Sequence, residues 1–179
     1  MDWGKAPTDP KISLYFLSSI IGIGESMTDN GKTGKNSIDF SLLDQNSKTF
    51  RLSEHLGKRV LLSFHPLAWT SVCAMQMKSL DDNKATFRSL NSVAVGISVD
   101  SVPCKKAWSE SLGIFDTPLL ADFWPHGGVA QLYGILREKE GFSERANILV
   151  DEHGRIAFSR IYELKQLPDI NEIIDMLKK

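Results

Sequence analysis

Arg59-Val60-Leu61-Leu62-Ser63-Phe64 is apolar almost throughout, and it runs directly into His65-Pro66-Leu67-Ala68-Trp69-Thr70-Ser71-Val72-Cys73. A run of that composition suits a central strand covered on both faces. Helical spacing then takes over from Thr70 to Leu90. Val72, Met75, Met77, Leu80 and Phe87 are spaced for burial there, and Lys78, Asp81, Asp82 and Lys84 for solvent. The strand-to-helix passage puts Cys73 in the first turn of a helix, at the C-terminal end of a buried strand, where a site is expected.

Outward from this unit the same alternation continues. Ser92 to Val99 is a second apolar strand, followed by a helix opened by Pro103, whose missing N–H is not needed near a helix start. Leu119-Leu120-Ala121 reads as a short strand and Gly127 to Leu132 as a short helix. Ala146 to Val150 and Arg155 to Ile161 form a hairpin through Asp151-Glu152-His153-Gly154. Asp169 to Lys178 closes the chain as an amphipathic helix with Ile170, Ile173, Ile174 and Leu177 on one side. On the N-terminal side, Ile38 to Leu43 alternates as a half-buried strand, and Asp44 to Lys48 turns it back into Thr49 to Leu52. The expectation is an α/β fold with a central mixed sheet flanked by helices.

With 179 residues, 42% of them hydrophobic and 24% charged, the chain is long enough for one substantial core. That core falls in residues 37–179. Residues 1–36 form an N-terminal extension, the apolar run Ile12 to Gly24 followed by a polar, Gly-rich linker from Glu25 to Asn36. The run is shorter than the roughly 20 residues a spanning helix needs, so no stable membrane insertion is expected. It also lacks a basic flank and a cleavage pattern, so a cytoplasmic location is expected; export would follow only if the run acts as a signal. A formal net charge of −1 leaves no basic footprint for nucleic acid. His55, His65, His126 and His153 fit no zinc spacing, so no metal is expected. Gly22-Ile23-Gly24 lacks the strand–helix context of a nucleotide loop.

The two cysteines, Cys73 and Cys104, are too few for a secreted disulfide framework and form no C-x-x-C pair. Cys73 has the more informative surroundings. Its nucleophilic form is the thiolate, which a helix N-terminus and a nearby cation favour. Thr70, three residues earlier, can satisfy first-turn N–H groups and still offer a hydrogen bond to the sulfur or to a bound oxygen. Pro66 shapes the loop without an N–H of its own.

Pro66-x-x-x-Thr70-x-x-Cys73 after an apolar strand resembles the active-site motif of the peroxiredoxins. The likeness extends over nearly all of Ser37 to Lys179, through Asp39-Phe40, Leu43, Ser98-Val99-Asp100-Ser101 and Asp122-Phe123-Trp124-Pro125-His126-Gly127. That last segment is similar to the alkyl hydroperoxide reductase E-type branch. Arg145, in Glu144-Arg145-Ala146-Asn147-Ile148-Leu149-Val150-Asp151, matches the active-site arginine of the family. The resemblance implies a thioredoxin-like fold and a cofactor-free thiol peroxidase, with Cys73, Thr70, Arg145 and Pro66 as its catalytic set. It implies a peroxide substrate, thioredoxin or another small thiol reductant, and a homodimer with Trp69 near the subunit contact. Gln76 departs from the pattern, standing where a glutamate often follows the cysteine by three. Cys104, beside Pro103 at the next helix start, has two readings: a resolving thiol or a packed spectator. Neighbouring helix starts lie about 10 Å apart, beyond the roughly 7 Å that α-carbons can span without movement, so a disulfide needs local unwinding. A rival reading keeps the fold without turnover, as a redox sensor or chaperone-like binding protein; Arg145 with Thr70 favours catalysis.

Overall fold

The computed structural model describes residues 32–179; the Ile12 to Gly24 run and the linker up to residue 31 lie outside the described residues. In chain order the strands are β1 Ser41–Leu43, β2 Thr49–Arg51, β3 Arg59–Phe64, β4 Ser92–Ser98, β5 Leu119–Ala121, β6 Leu136–Arg137, β7 Phe142–Ser143, β8 Arg145–Val150 and β9 Ile156–Tyr162. The helices are α1 Ser71–Asp82, α2 Lys84–Ser89, α3 Val102–Leu112, α4 Gly128–Leu132 and α5 Ile170–Leu177. One sheet holds seven strands in the order β2-β1-β5-β4-β3-β8-β9, and β6 pairs with β7 alone. The trio β3, β4 and β5 is parallel, while β8 runs antiparallel to both β3 and β9. This is the mixed α/β sheet that the hydrophobic pattern implies.

β3 is buried on both faces because its side chains alternate between two cores. Leu62 and Phe64 join Val95, Ile97, Leu120, Ile148 and Tyr133 on one side. Leu61 joins Met77, Phe87, Trp108, Leu149 and Ile173 on the other, where α1, α2, α3 and α5 pack. Gly96 of β4 lets α1 come this close, since a β-carbon there would meet the Met77 sulfur at 2.2 Å. Gly96→Val is therefore expected to cost about 1–3 kcal/mol by overpacking. Urea denaturation would read this as a lower midpoint at unchanged slope. An unchanged midpoint would mean that α1 can shift off β4 freely.

Three elements differ from the sequence reading. The helix expected from Thr70 to Leu90 breaks at Asn83, whose side-chain amide donates to the Ser79 carbonyl at 2.8 Å and competes with the backbone. Within α1 the buried face is Cys73, Gln76, Met77, Leu80 and Asp81, so Asp81 points inward, where it accepts from the Thr117 hydroxyl at 2.8 Å, while Met75 is exposed. The first strand pairs only from Ser41, with Ile38 exposed. The β6–β7 hairpin has too few alternating residues to announce itself. Near the start of the described chain, the N–H groups of Gly34 and Ser37 donate to the carbonyls of Ile156 and Gly154, both at 2.8 Å.

Candidate active site

β3 ends at Phe64, and the chain turns through a buried Pro66 into α1. Cys73 is the third residue of that helix and is fully buried. Thr70 takes the N-cap position in extended conformation, but its hydroxyl caps no first-turn N–H. Instead it donates to the Leu67 carbonyl at 3.0 Å, because the turn through Trp69, at φ 65°, folds Leu67 back beneath it. The capping expectation for Thr70 is thereby corrected, and the first-turn N–H groups stay uncapped by side chains at the end of the helix where the sulfur lies. Trp69 occupies a left-handed conformation that costs a non-glycine residue on the order of 1 kcal/mol. Its side chain is 59% exposed.

Arg145, the first residue of β8, is 2% exposed. A buried guanidinium needs its donors satisfied, and each nitrogen has a partner here. Nη2 donates to the Cys73 sulfur at 3.4 Å and to the Leu164 carbonyl at 2.8 Å. Nε donates to the same carbonyl at 3.1 Å, and Nη1 to Oε1 of Gln76. Gln76 is fixed in turn, its amide donating to Ser63 Oγ at 2.8 Å and to the Phe64 carbonyl at 3.2 Å. Ser63 passes its own proton to Asn147 Oδ1 at 2.8 Å. Gln76 plays both roles here: its Oε1 accepts from Arg145 while its amide donates to the Phe64 carbonyl, a contact that a carboxylate could not make. A thiol, a forked cation and a helix N-terminus thus meet at one point, able to hold an anion and the oxygens around it.

The loop before α1 is pinned by Asp100. Its Oδ2 accepts from the Ala68 N–H at 2.8 Å and from the Ser98 hydroxyl at 2.6 Å. Oδ1 accepts from the Cys104 thiol at 3.7 Å. Burial pushes the Cys104 thiol up, opposed by a hydrogen bond from Trp69. Both cysteines are free thiols. Among the described residues, no group of three or more His, Cys, Asp and Glu is arranged to hold a metal.

Sequence reasoning missed the pair His65 and Lys105, both fully buried, with Nζ 3.0 Å from Nε2. The signal was available in the spacing, since Lys105 shares a helical face with Trp108 and Leu112. Leu164, which supplies only a backbone oxygen, left no trace in residue type.

Residues 33–159 match the AhpC/TSA family. The chain is 40% identical over 140 residues to Alkyl hydroperoxide reductase E of Mycobacterium tuberculosis (strain ATCC 25618 / H37Rv), covering 78% of this chain and 89% of that protein. It is 32% identical to Peroxiredoxin-1 of Gekko japonicus, over 83% of this chain and 79% of that one. Among solved structures, Peroxidoxin BcpB from Mycobacterium tuberculosis superposes with a TM-score of 0.72 at 28% identity, covering 82% and 96% of the two chains. The reduced 2-Cys peroxiredoxin of Plasmodium vivax gives 0.74 at 26% identity, covering 82% and 80%.

Proposed function

Because this chain belongs to the AhpC/TSA family of peroxiredoxins, and is therefore a thiol-dependent peroxidase of thioredoxin-like fold, we propose that Cys73 is its peroxidatic cysteine and that Arg145, Thr70 and Pro66 complete the catalytic set. The observation that carries this reading is the hydrogen bond from Arg145 Nη2 to the Cys73 sulfur at the N-terminus of α1.

In the proposed reaction the thiolate attacks one oxygen of hydrogen peroxide or an organic hydroperoxide in line with the O–O bond. A sulfur–oxygen bond forms, the O–O bond breaks with its electron pair on the departing oxygen, and that oxygen takes a proton from water to leave as water or alcohol. Cys73 becomes a sulfenic acid. Arg145, the Thr70 hydroxyl and the first-turn N–H groups stabilise the charge gathering on the departing oxygen. Thr70 must give up its bond to Leu67 to do so, a short rotation about one torsion. Pro66 presents no N–H to compete for the peroxide. An external thiol, of thioredoxin type or another small dithiol, then attacks the sulfenic sulfur and releases water; its second thiol restores Cys73 and leaves as a disulfide. Cys104 is read as a spectator, since the Asp100 carboxylate beside it and its own burial both disfavour the thiolate that resolution requires.

Residues 37–179 make up the proposed catalytic unit. Leu67, Trp69, Phe123 and Trp124 are exposed together at the C-terminal ends of β3 and β5, an apolar rim that supports a homodimer closing around the site. No helix of the described residues is long and apolar enough to cross a membrane, and two free thiols fit a cytoplasmic location, where reducing systems keep cysteines unpaired.

A turnover experiment tests the reading. Without reductant, about one equivalent of peroxide per chain is expected to disappear, because one thiol is oxidised; adding a thioredoxin-type dithiol should make consumption continuous. Peroxide loss no faster than in buffer alone would overturn it.

A further inference from the structure

Asp100 stands two residues past the end of β4, and the reaction above gives it no role. Its two carboxylate oxygens take three donors. Oδ2 accepts from the Ala68 N–H at 2.8 Å and from the Ser98 hydroxyl at 2.6 Å, and Oδ1 from the Cys104 thiol at 3.7 Å. Ser98 and Cys104 lie within four residues of Asp100, whereas Ala68 is 32 residues away, in the loop that carries Thr70 and Cys73. The local donors thus hold the carboxylate, and the held carboxylate grips the loop.

The gripped turn needs support from outside. Trp69, next in the chain, has φ 65°, and a left-handed tryptophan persists only where its surroundings impose that conformation. Within the turn, the tie is the bond from the Thr70 hydroxyl to the Leu67 carbonyl at 3.0 Å. That tie is given up in the proposed reaction, because the hydroxyl must swing to the peroxide. The Asp100 bond to the Ala68 N–H is untouched by the reaction and still holds the backbone two residues before Thr70. The same carboxylate acts as a counter-charge to the buried Lys105 ammonium, so a test has to separate its charge from its hydrogen bond.

We infer that Asp100 is a positioning residue for the peroxidase step: by holding the Ala68 N–H it fixes the turn from Leu67 to Thr70 and so aims the Thr70 hydroxyl at the peroxide. The inference rests on Cys73 being the peroxidatic residue and on Thr70 donating to the peroxide. Asp100 acts through Thr70 and leaves the thiolate as it is. A reagent that needs only the thiolate is therefore indifferent to Asp100, whereas a peroxide, which also needs the placed donor, depends on it.

The test uses Asp100→Leu and Asp100→Asn, both with the shape of the aspartate side chain. The asparagine oxygen can still accept from Ala68 while its amide donates to the Ser98 oxygen; leucine can do neither. Single-turnover oxidation of Cys73 by hydrogen peroxide and its alkylation by iodoacetamide are measured at pH 7 in each protein. In Asp100→Leu, oxidation is expected to slow by roughly 10–10²-fold, since a misplacement of about 1 Å is worth the upper figure. Alkylation, which follows the thiolate, should stay within about twofold of wild type. Asp100→Asn should oxidise at close to the wild-type rate. In a Thr70→Val background, Asp100→Leu should add nothing further, because both residues act on one donor. A wild-type oxidation rate in Asp100→Leu would overturn the inference. So would full additivity with Thr70→Val, alkylation falling in step with oxidation, or an equal loss in Asp100→Asn, which would assign the effect to charge. In each of those cases wild-type Cys73 still reacts with peroxide and the peroxidase reading stands; a wild-type Cys73 inert to peroxide would end both. Should Asp100→Leu not fold, Asp100→Ala, which also lacks the acceptor, carries the same expectations and the same contrary results.

Discussion

Replacing Cys73 with serine is expected to abolish peroxide consumption and leave the fold in place. The substitution exchanges one atom at a fully buried position, and the hydroxyl can still accept the Arg145 hydrogen bond, so the packing around α1 is preserved. The hydroxyl does not ionise at neutral pH and cannot leave sulfur's oxidation products, so neither the attack nor the sulfenic acid is available to it. The decisive readout is the rate of peroxide loss with excess dithiol, alongside a circular dichroism spectrum and melting curve close to wild type. Turnover surviving in a folded Cys73→Ser would remove Cys73 from the mechanism.

Arg145→Met should have the second largest effect, and it acts on two quantities at once. The rate of Cys73 oxidation is expected to fall by roughly 10²–10³, the usual loss when a preorganised donor to a developing oxyanion is removed. Stability is expected to fall by about 1–3 kcal/mol, because the Leu164 carbonyl and Gln76 Oε1 are left buried without a donor. Arg145→Lys should not rescue the rate, since one ammonium cannot serve the sulfur, a carbonyl and an amide oxygen in the directions that the planar fork does. Stopped-flow oxidation and thermal unfolding on the same samples separate the two effects. A wild-type rate in Arg145→Lys would mean that charge alone, without the fork, is what the site uses.

Much of the architecture is legible in the sequence for a physical reason. β3 must be apolar on both faces to sit between two cores, and a six-residue run that is too short for a buried helix reads as such a strand, so Arg59–Phe64 is found with its ends correct. The fold and the family follow from that strand, its helix and the Pro66, Thr70 and Cys73 spacing, and the relatives bear out both. Local competition is harder to see. Asn83 breaks a helix whose apolar spacing continues through to Phe87, and only its side-chain bond to Ser79 explains the break. The Thr70 hydroxyl has two acceptable partners, a first-turn N–H and the Leu67 carbonyl; the left-handed Trp69 decides between them, and no tryptophan advertises that conformation. The buried charges are the least legible. Lysine and histidine are surface residues by default, and that expectation outweighs the helical spacing of Lys105 with Trp108 and Leu112 until α3 and the end of β3 are seen to meet. The Leu164 carbonyl that steadies Arg145 belongs to the backbone, and no residue type encodes it.

The measurement that bears most directly on the central claim is the intact mass of wild type, Cys104→Ser and Cys73→Ser after one equivalent of hydrogen peroxide under non-reducing conditions. The account predicts the gain of one oxygen in wild type and in Cys104→Ser, mapped to Cys73, and no change in Cys73→Ser. Loss of two hydrogens in wild type would instead make Cys104 the resolving thiol, and an unmodified Cys73 in all three samples would contradict the peroxidatic role assigned to it.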